Sequence, residues 1–378
     1  MSVPSRTGHL PALDGLRAVA VLAVLWHHAW GRRAAVGGVE AAVRTVSEAG
    51  WMGVDLFFVL SGFLITRLLI RHRDAPNLLR AFWWRRALRI LPAYYAFLGV
   101  IFVLLPAIRV RIFAPGPLAK LAYATFLSNV WIADHGLTLR QPTHLWSVAV
   151  EEQFYLLWPF VVLWAPGPWL GRVIVGLLLA TPFARSLATL GGVDHLALYA
   201  LTPFRLDGLG WGALLAVAEA SPGGLARWRP LAAVGALVAT TAAITWTALH
   251  GALRPDLELP VYQAALYAFT GMGFASVVTL VLTQPDDHVV NRWLTRPWMQ
   301  AVGRWSYMIY LLHPVVLIAL RLTRFYPLPR HQHAWWYVPA MTGFTALGAA
   351  VTLALAAASW RWLEAPLLRR KDRVPYVD

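Results

Sequence analysis

The sequence contains no cysteine. That excludes disulfides, a thiol nucleophile, thiolate metal sites and cysteine lipidation, and leaves the redox compartment undetermined. Charge is also scarce, with 13% Asp, Glu, Lys and Arg against about 25% in an ordinary soluble domain. No polar block is long enough to fold as a separate soluble unit. Acidic residues are outnumbered 18 to 33 by basic ones, for a formal net charge of +15, and nearly all the basic residues are arginine. A basic balance can signal nucleic acid, but these arginines flank apolar stretches and lack a soluble recognition module. They fit anchoring to anionic membrane lipid and the positive-inside rule, so no nucleic-acid partner is expected. There is no Gly-x-Ser-x-Gly elbow and no His-Glu-x-x-His spacing. His331-Gln-His333 reads as two surface imidazoles in an Arg-rich loop, so no metal is expected. The first apolar stretch has no clear cleavage site, which argues against a signal peptide.

Apolar residues make up 58% of the 378 positions. They recur in runs near the roughly 20 residues needed to cross a bilayer. The chain therefore reads as an all-α, polytopic transmembrane helical bundle, one domain over 1–378 ending in a short basic tail at 367–378. Spans are expected near 12–30, 51–70, 90–107, 145–165, 169–188, 198–218, 231–249, 262–283, 301–321 and 336–360. A shorter apolar stretch, 118–133, is ambiguous. The loop from Arg71 to Arg89 and the tail both carry arginine clusters and should be cytoplasmic. Cytoplasmic N- and C-termini require an even number of crossings. Ten crossings, with 118–133 re-entrant or interfacial, meet that condition. No internal repeat is visible, so the inverted-repeat pattern of many secondary transporters lacks support. The Arg, Ala, Gly and Pro bias fits a GC-rich bacterial gene, and the inner membrane is the expected location.

Several polar groups interrupt the apolar runs. In the first span, Arg17 and His28 are eleven residues apart, which returns a helix to within roughly 20° of the same face, about 16 Å further along. Ionisable groups in a membrane helix are costly and usually mark a functional interior. His27 lies about 100° off that face. Asp55 and Ser61 sit in the second span. Asp55 could orient a histidine or cap the helix, and Ser61-Gly62 suits close helix packing. Arg85, Arg86 and Arg89 cluster at i,i+3 and i,i+4 spacing, and guanidinium groups bind phosphate oxygens bidentately. His144, Ser147, Glu151 and Tyr155 share a helical stripe within about 60°. Arg205 and Asp207 read as a structural pair. Ser306, Tyr310 and His313 read as polar lining, and Glu364 as the partner of a basic loop.

Together these motifs resemble the acyltransferase-3 family of integral membrane O-acyltransferases. The resemblance is carried by Asp14-Gly-Leu-Arg17, by Arg17 with His28, and by Gly53-Val-Asp-Leu-Phe-Phe-Val-Leu-Ser-Gly-Phe-Leu-Ile65. It continues through Arg85-Arg-Ala-Leu-Arg-Ile-Leu-Pro92, the His144-to-Tyr155 segment, Gly303-Arg-Trp-Ser-Tyr307 and Glu364-Ala-Pro366. It implies acyl-CoA-dependent transfer, usually of acetyl, to a hydroxyl of a carbohydrate or related metabolite. It implies that His28 is catalytic, that Arg17 and the Arg86-x-x-Arg89 pair serve the donor, and that the Glu151 segment is functionally important. A stand-alone transferase without a fused soluble domain is expected.

Acylation of a hydroxyl needs a base effective near neutral pH, and imidazole suits that task. The expected arrangement has His28 as base, oriented by Asp55 or Glu151. Arg86 and Arg89, with Arg17 and the neighbouring Arg85, hold the CoA phosphates at the cytoplasmic mouth. His144, Ser147 and Tyr155 are candidates for substrate contact. The acceptor is open: a surface polysaccharide, a lipid-linked glycan, or a glycosylated or polyketide metabolite. The competing classes are a transporter or flippase of a lipid-linked glycan or small metabolite, whose polar cavity would look similar, and a membrane sensor or scaffold.

Overall fold

The computed structural model describes residues 9–30, 38–110, 112–138, 141–165, 167–250, 260–323, 326–327 and 336–377. His331 and His333 lie outside them. The described residues are helical, with no strand among them.

In chain order the helices are α1 (Pro11–Trp30), α2 (Gly38–Glu48), α3 (Gly53–Arg71), α4 (Leu78–Gly99), α5 (Leu105–Ala107), α6 (Pro117–Ala124), α7 (Ser128–His135), α8 (Trp146–Trp164) and α9 (Pro168–Leu190). Then follow α10 (His195–Ala200), α11 (Leu206–Ala220), α12 (Arg229–His250), α13 (Pro260–Thr283), α14 (Val289–Leu294), α15 (Pro297–Arg321), α16 (Tyr337–Ser359) and α17 (Ala365–Leu368). Among the described residues, seven continuous helical stretches are long and apolar enough to cross a membrane: Gly38–Arg71, Leu78–Ala107, Trp169–Leu190, Leu225–Thr247, Tyr262–Thr283, Pro297–Arg321 and Tyr337–Arg373. The remaining expected spans fall on α1, α8 and α11. The first two carry ionisable groups in mid-helix, and α11 has only 15 residues.

Two expected boundaries move. The third span begins at Leu78 rather than near 90, because Leu78-Leu-Arg-Ala-Phe-Trp-Trp84 continues the helix outward. Arg80, Arg85, Arg86 and Arg89 are thus helical residues, not loop residues. The sixth span breaks at the 3-10 turn Thr202–Phe204, where Pro203 lacks the N–H that a continuous helix requires. The 118–133 stretch forms two short helices, α6 and α7, joined through Phe126, whose φ is 55°.

The centre of the bundle is α1, packed between α3 and α15, with α11 and α8 against α3. Missing side chains set these approaches. A Cβ on Gly62 would overlap the Leu209 carbonyl oxygen, and one on Gly212 would overlap that of Val59. Backbone on backbone is therefore the α3–α11 contact, the small-residue packing seen between membrane helices. Around this centre, α9 and α13 pack on α11, α12 on α13 and α16 on α15. The apolar window on α3 is 72% buried and the one on α12 only 6%, so α3 is interior and α12 faces the surroundings.

Candidate active site

A narrow, open-mouthed cavity lies between α1, α3, α4, α8 and α15. Arg17 of α1 and Arg86 and Arg89 of α4 line it together. Each is held. Arg17 Nη1 lies 3.6 Å from Asp14 Oδ1. The Arg86 guanidinium stands 5.7 Å from the centre of the Tyr155 ring, and Arg89 stands 5.5 Å from that of Trp360. Arg89 Nη2 also donates to the Arg304 carbonyl at 3.1 Å. Three guanidinium groups from two helices thus converge on one wall.

Residues of α3 and α8 line the same cavity beside them. Tyr155 donates to Ser61 Oγ at 2.9 Å, and Ser61 donates to Glu151 Oε1 at 2.6 Å. Ser147, Glu151, Glu152 and Tyr155 all line the cavity. The helical stripe at 147, 151 and 155 therefore faces the space that the arginines also line, with Arg86 over the Tyr155 ring.

Ser147 and Tyr310 also line the cavity, and their hydroxyls are 2.6 Å apart. Both hydroxyls also reach the His144 carbonyl, Tyr310 at 2.8 Å and Ser147 at 3.3 Å. His144 precedes α8, in the 3-10 turn Thr143–Leu145, and departs from the expected stripe. Its ring lies 5.6 Å from those of Tyr310 and His313. His313 Nε2 is 3.3 Å from His28 Nδ1. His28, His144 and His313 thus form a group of imidazoles behind the Tyr310–Ser147 contact, adjoining the wall of arginines and carboxylates without being part of it. His27 turns the other way, with Nδ1 3.1 Å from the Ser47 carbonyl. Arg321 fixes the end of α1 by donating to the carbonyls of His28 and Ala29 at 2.6 and 3.1 Å. Among the described residues no group of three His, Cys, Asp or Glu side chains is placed to hold a metal ion.

Other expected site residues lie elsewhere. Asp55 pairs with Arg205, and its second oxygen is buried without a hydrogen bond, so it does not orient an imidazole. Glu151 is taken by Ser61 rather than by His28. Arg205 and Asp207 do not pair with each other, because Asp207 meets Arg185 at 2.6 Å. Arg205 also packs on the Phe58, Trp146, Tyr199 and Tyr267 rings. Arg85 leaves the cavity for the tail, 3.4 Å from Asp372 and over the Tyr376 ring. Glu364 accepts from Ser359 at 3.3 Å and its charge interacts with that of Arg89, in the basic segment expected to partner it. The residue whose place sequence reasoning undervalues is His313. Its spacing from Tyr310 marks a polar face, but its neighbour His28 is 285 positions away.

Comparison with known proteins gives the family. An acyltransferase domain model matches residues 10–354. The chain is 28% identical to the peptidoglycan O-acetyltransferase OatA of Listeria monocytogenes, over 95% of this chain and 56% of that protein. It is 30% identical to the putative peptidoglycan O-acetyltransferase YrhL of Bacillus subtilis, over 95% of this chain and 55% of that one. It is 26% identical to the O-acetyltransferase OatA of Staphylococcus aureus, over 82% and 51%. The chain spans about half the length of these relatives. No solved structure matches. The chain belongs to the acyltransferase-3 family and is a multi-pass membrane protein.

Proposed function

We propose that the chain is a membrane O-acyltransferase that moves an acyl group, acetyl by preference, from acyl-CoA to a hydroxyl of a carbohydrate or a glycosylated or polyketide metabolite. The observation that carries this reading is the cavity lined together by Arg17, Arg86, Arg89, Ser147 and Tyr310, with Tyr310 in contact with the imidazole group of His144, His313 and His28. Guanidinium groups match the CoA phosphates in charge and in hydrogen-bond geometry. The pantetheine arm then runs past Glu151 and Ser147 toward His28. With the arginine end cytoplasmic, a cytosolic donor serves an acceptor that enters from the His28 end. The names of the relatives favour a peptidoglycan sugar as acceptor.

His28 is the base in this reading. Its Nδ1 lies 2.9 Å from the Val24 carbonyl. A carbonyl only accepts, so Nδ1 carries the hydrogen and Nε2 the lone pair. Nε2 takes the hydroxyl proton as the oxygen attacks the thioester carbon. The C–O bond forms, the C–S bond breaks, and the proton passes from Nε2 to the departing thiolate, giving free CoA and ester.

The test is acetyl transfer from labelled acetyl-CoA by purified His28→Ala and His27→Ala proteins. Loss of a general base lowers turnover by about 10²- to 10⁴-fold. That loss is expected for His28→Ala, with His27→Ala far less affected. Near-normal turnover in a well-expressed His28→Ala protein would sink the assignment.

A further inference from the structure

We propose that His313 is a positioning residue for this reaction, accepting the Nδ1 hydrogen of His28 and so holding the His28 Nε2 lone pair toward the acceptor hydroxyl. The inference rests on the reading of His28 as base and names a group that orients it. The two carboxylates that the sequence offers for the task are engaged elsewhere, Asp55 by Arg205 and Glu151 by Ser61.

The backbone carbonyls beside the two rings assign their hydrogens. His313 Nδ1 lies 3.2 Å from the Ile309 carbonyl, four residues back on its own helix. That carbonyl is an acceptor only, so His313 carries its hydrogen on Nδ1 and presents a lone pair at Nε2. His28 Nδ1 lies 2.9 Å from the Val24 carbonyl and 3.3 Å from His313 Nε2. Both neighbours are acceptors, so one N–H serves both in a three-centre bond. The His28 ring is thereby fixed in orientation and in tautomer, with Nε2 as its basic nitrogen.

His313 is well built for this. It is fully buried on α15, and its ring stands 4.9 Å from that of His28 at a 66° angle. Tyr310 and His144 hold its other faces, each 5.6 Å away between ring centres. Among the described residues, His144, His27, whose ring is 5.3 Å away, and Arg321, which binds the His28 carbonyl, are further ionisable neighbours of His28. Its chemistry also differs from that of a carboxylate orienter. A neutral imidazole sets the tautomer without adding the Coulomb attraction that would retain the proton on His28. The proton taken from the hydroxyl is then readily returned to the leaving thiolate, and the Nδ1 contact strengthens only while His28 is charged.

The experiment compares His313→Phe, His313→Gln and His313→Asn with His28→Ala in purified, detergent-solubilised full-length protein. Soluble peptidoglycan fragments serve as acceptor and acetyl-CoA as donor. Loss of alignment at a reacting centre costs roughly 10²-fold. His313→Phe, which keeps the ring volume, should lower kcat by about that factor and leave the KM for acetyl-CoA within about twofold. His313→Gln, whose amide oxygen reaches the Nε2 position, should recover most of the rate, while the shorter His313→Asn should not. A readout independent of the acceptor is the rate at which diethyl pyrocarbonate modifies His28, followed by mass spectrometry. It should fall in His313→Phe and stay near wild type in His313→Gln. Wild-type kcat and modification rate in His313→Phe, with His28→Ala inactive, would overturn the inference alone. An active His28→Ala would overturn the base reading beneath it. If His313→Phe does not fold, the Gln–Asn pair decides, and equal rates in the two refute a role for the acceptor at Nε2.

Discussion

At the scale of single residues, the buried carboxylates separate by what they touch. Asp55 is 2% exposed and meets Arg205, which is 1% exposed and ringed by aromatic side chains. Removing one member of such a pair strands the other charge, at a cost of about 3–5 kcal/mol. Asp55→Ala should therefore lower the midpoint of thermal unfolding strongly, as followed by tryptophan fluorescence in detergent. Glu151→Gln is the contrasting case. The amide keeps the volume and can still accept from Ser61, so stability should change by no more than about 1 kcal/mol. Turnover should nonetheless fall at least tenfold if the negative charge in the cavity that Arg17 and Arg86 line matters. A Glu151→Gln protein with wild-type kcat would remove Glu151 from the machinery. The sequence makes these residues visible and leaves their partners hidden. Arg17, Arg86, Arg89, Glu151 and Tyr155 stand out because each lies in a local motif, and the fold brings them to one cavity. The role of Asp55 is not legible in the same way, because its partner is 150 positions away and no periodicity links them.

At the scale of elements, helix placement follows hydropathy closely, since apolar runs of bilayer length have few alternatives to the helix. Each expected span has a helix. What hydropathy does not encode is how the helices cross. The α3–α11 contact is set by Gly62 and Gly212, each so close to a backbone carbonyl that a methyl group has no room. Forcing extra volume into a close-packed contact costs about 1–3 kcal/mol. Gly62→Ala and Gly212→Ala should lower the unfolding midpoint and reduce turnover, because α3 also carries Ser61 to the cavity. Gly176 on α9 is the matched control, since a methyl group there would meet nothing within 4 Å. Gly176→Ala should leave the midpoint unchanged or raise it, as alanine is the better helix former by about 1 kcal/mol. Equal loss in all three would mean that the glycines act through chain flexibility and not through the crossing.

At the scale of the whole molecule, the arginine wall and the imidazole group lie along one helix, Arg17 and His28 being about 16 Å apart by helical rise. If phosphates dock at the first and chemistry occurs at the second, binding and turnover should separate by mutation. Arg86→Ala with Arg89→Ala should raise the KM for acetyl-CoA by at least about tenfold, since each charge-assisted hydrogen bond contributes about 1.5–3 kcal/mol. Arg85→Ala should change it little, because that guanidinium meets Asp372 and Tyr376. The same separation predicts sidedness. In proteoliposomes sorted by protease access to the basic tail, acetyl-CoA added on the tail side should support transfer. Acetyl-CoA confined to the opposite side should not, because its phosphates cannot reach Arg17, Arg86 and Arg89 through the apolar bundle. The tail marks that side physically: Asn77, just before α4, donates to the Pro375 carbonyl at 2.7 Å, and Trp84 donates to the Arg370 carbonyl at 3.3 Å. The tail and the arginine helix therefore share one end of the molecule. Equal transfer from both sides would break the link between that end and the donor, and the arginines would then have to be read as lipid anchors.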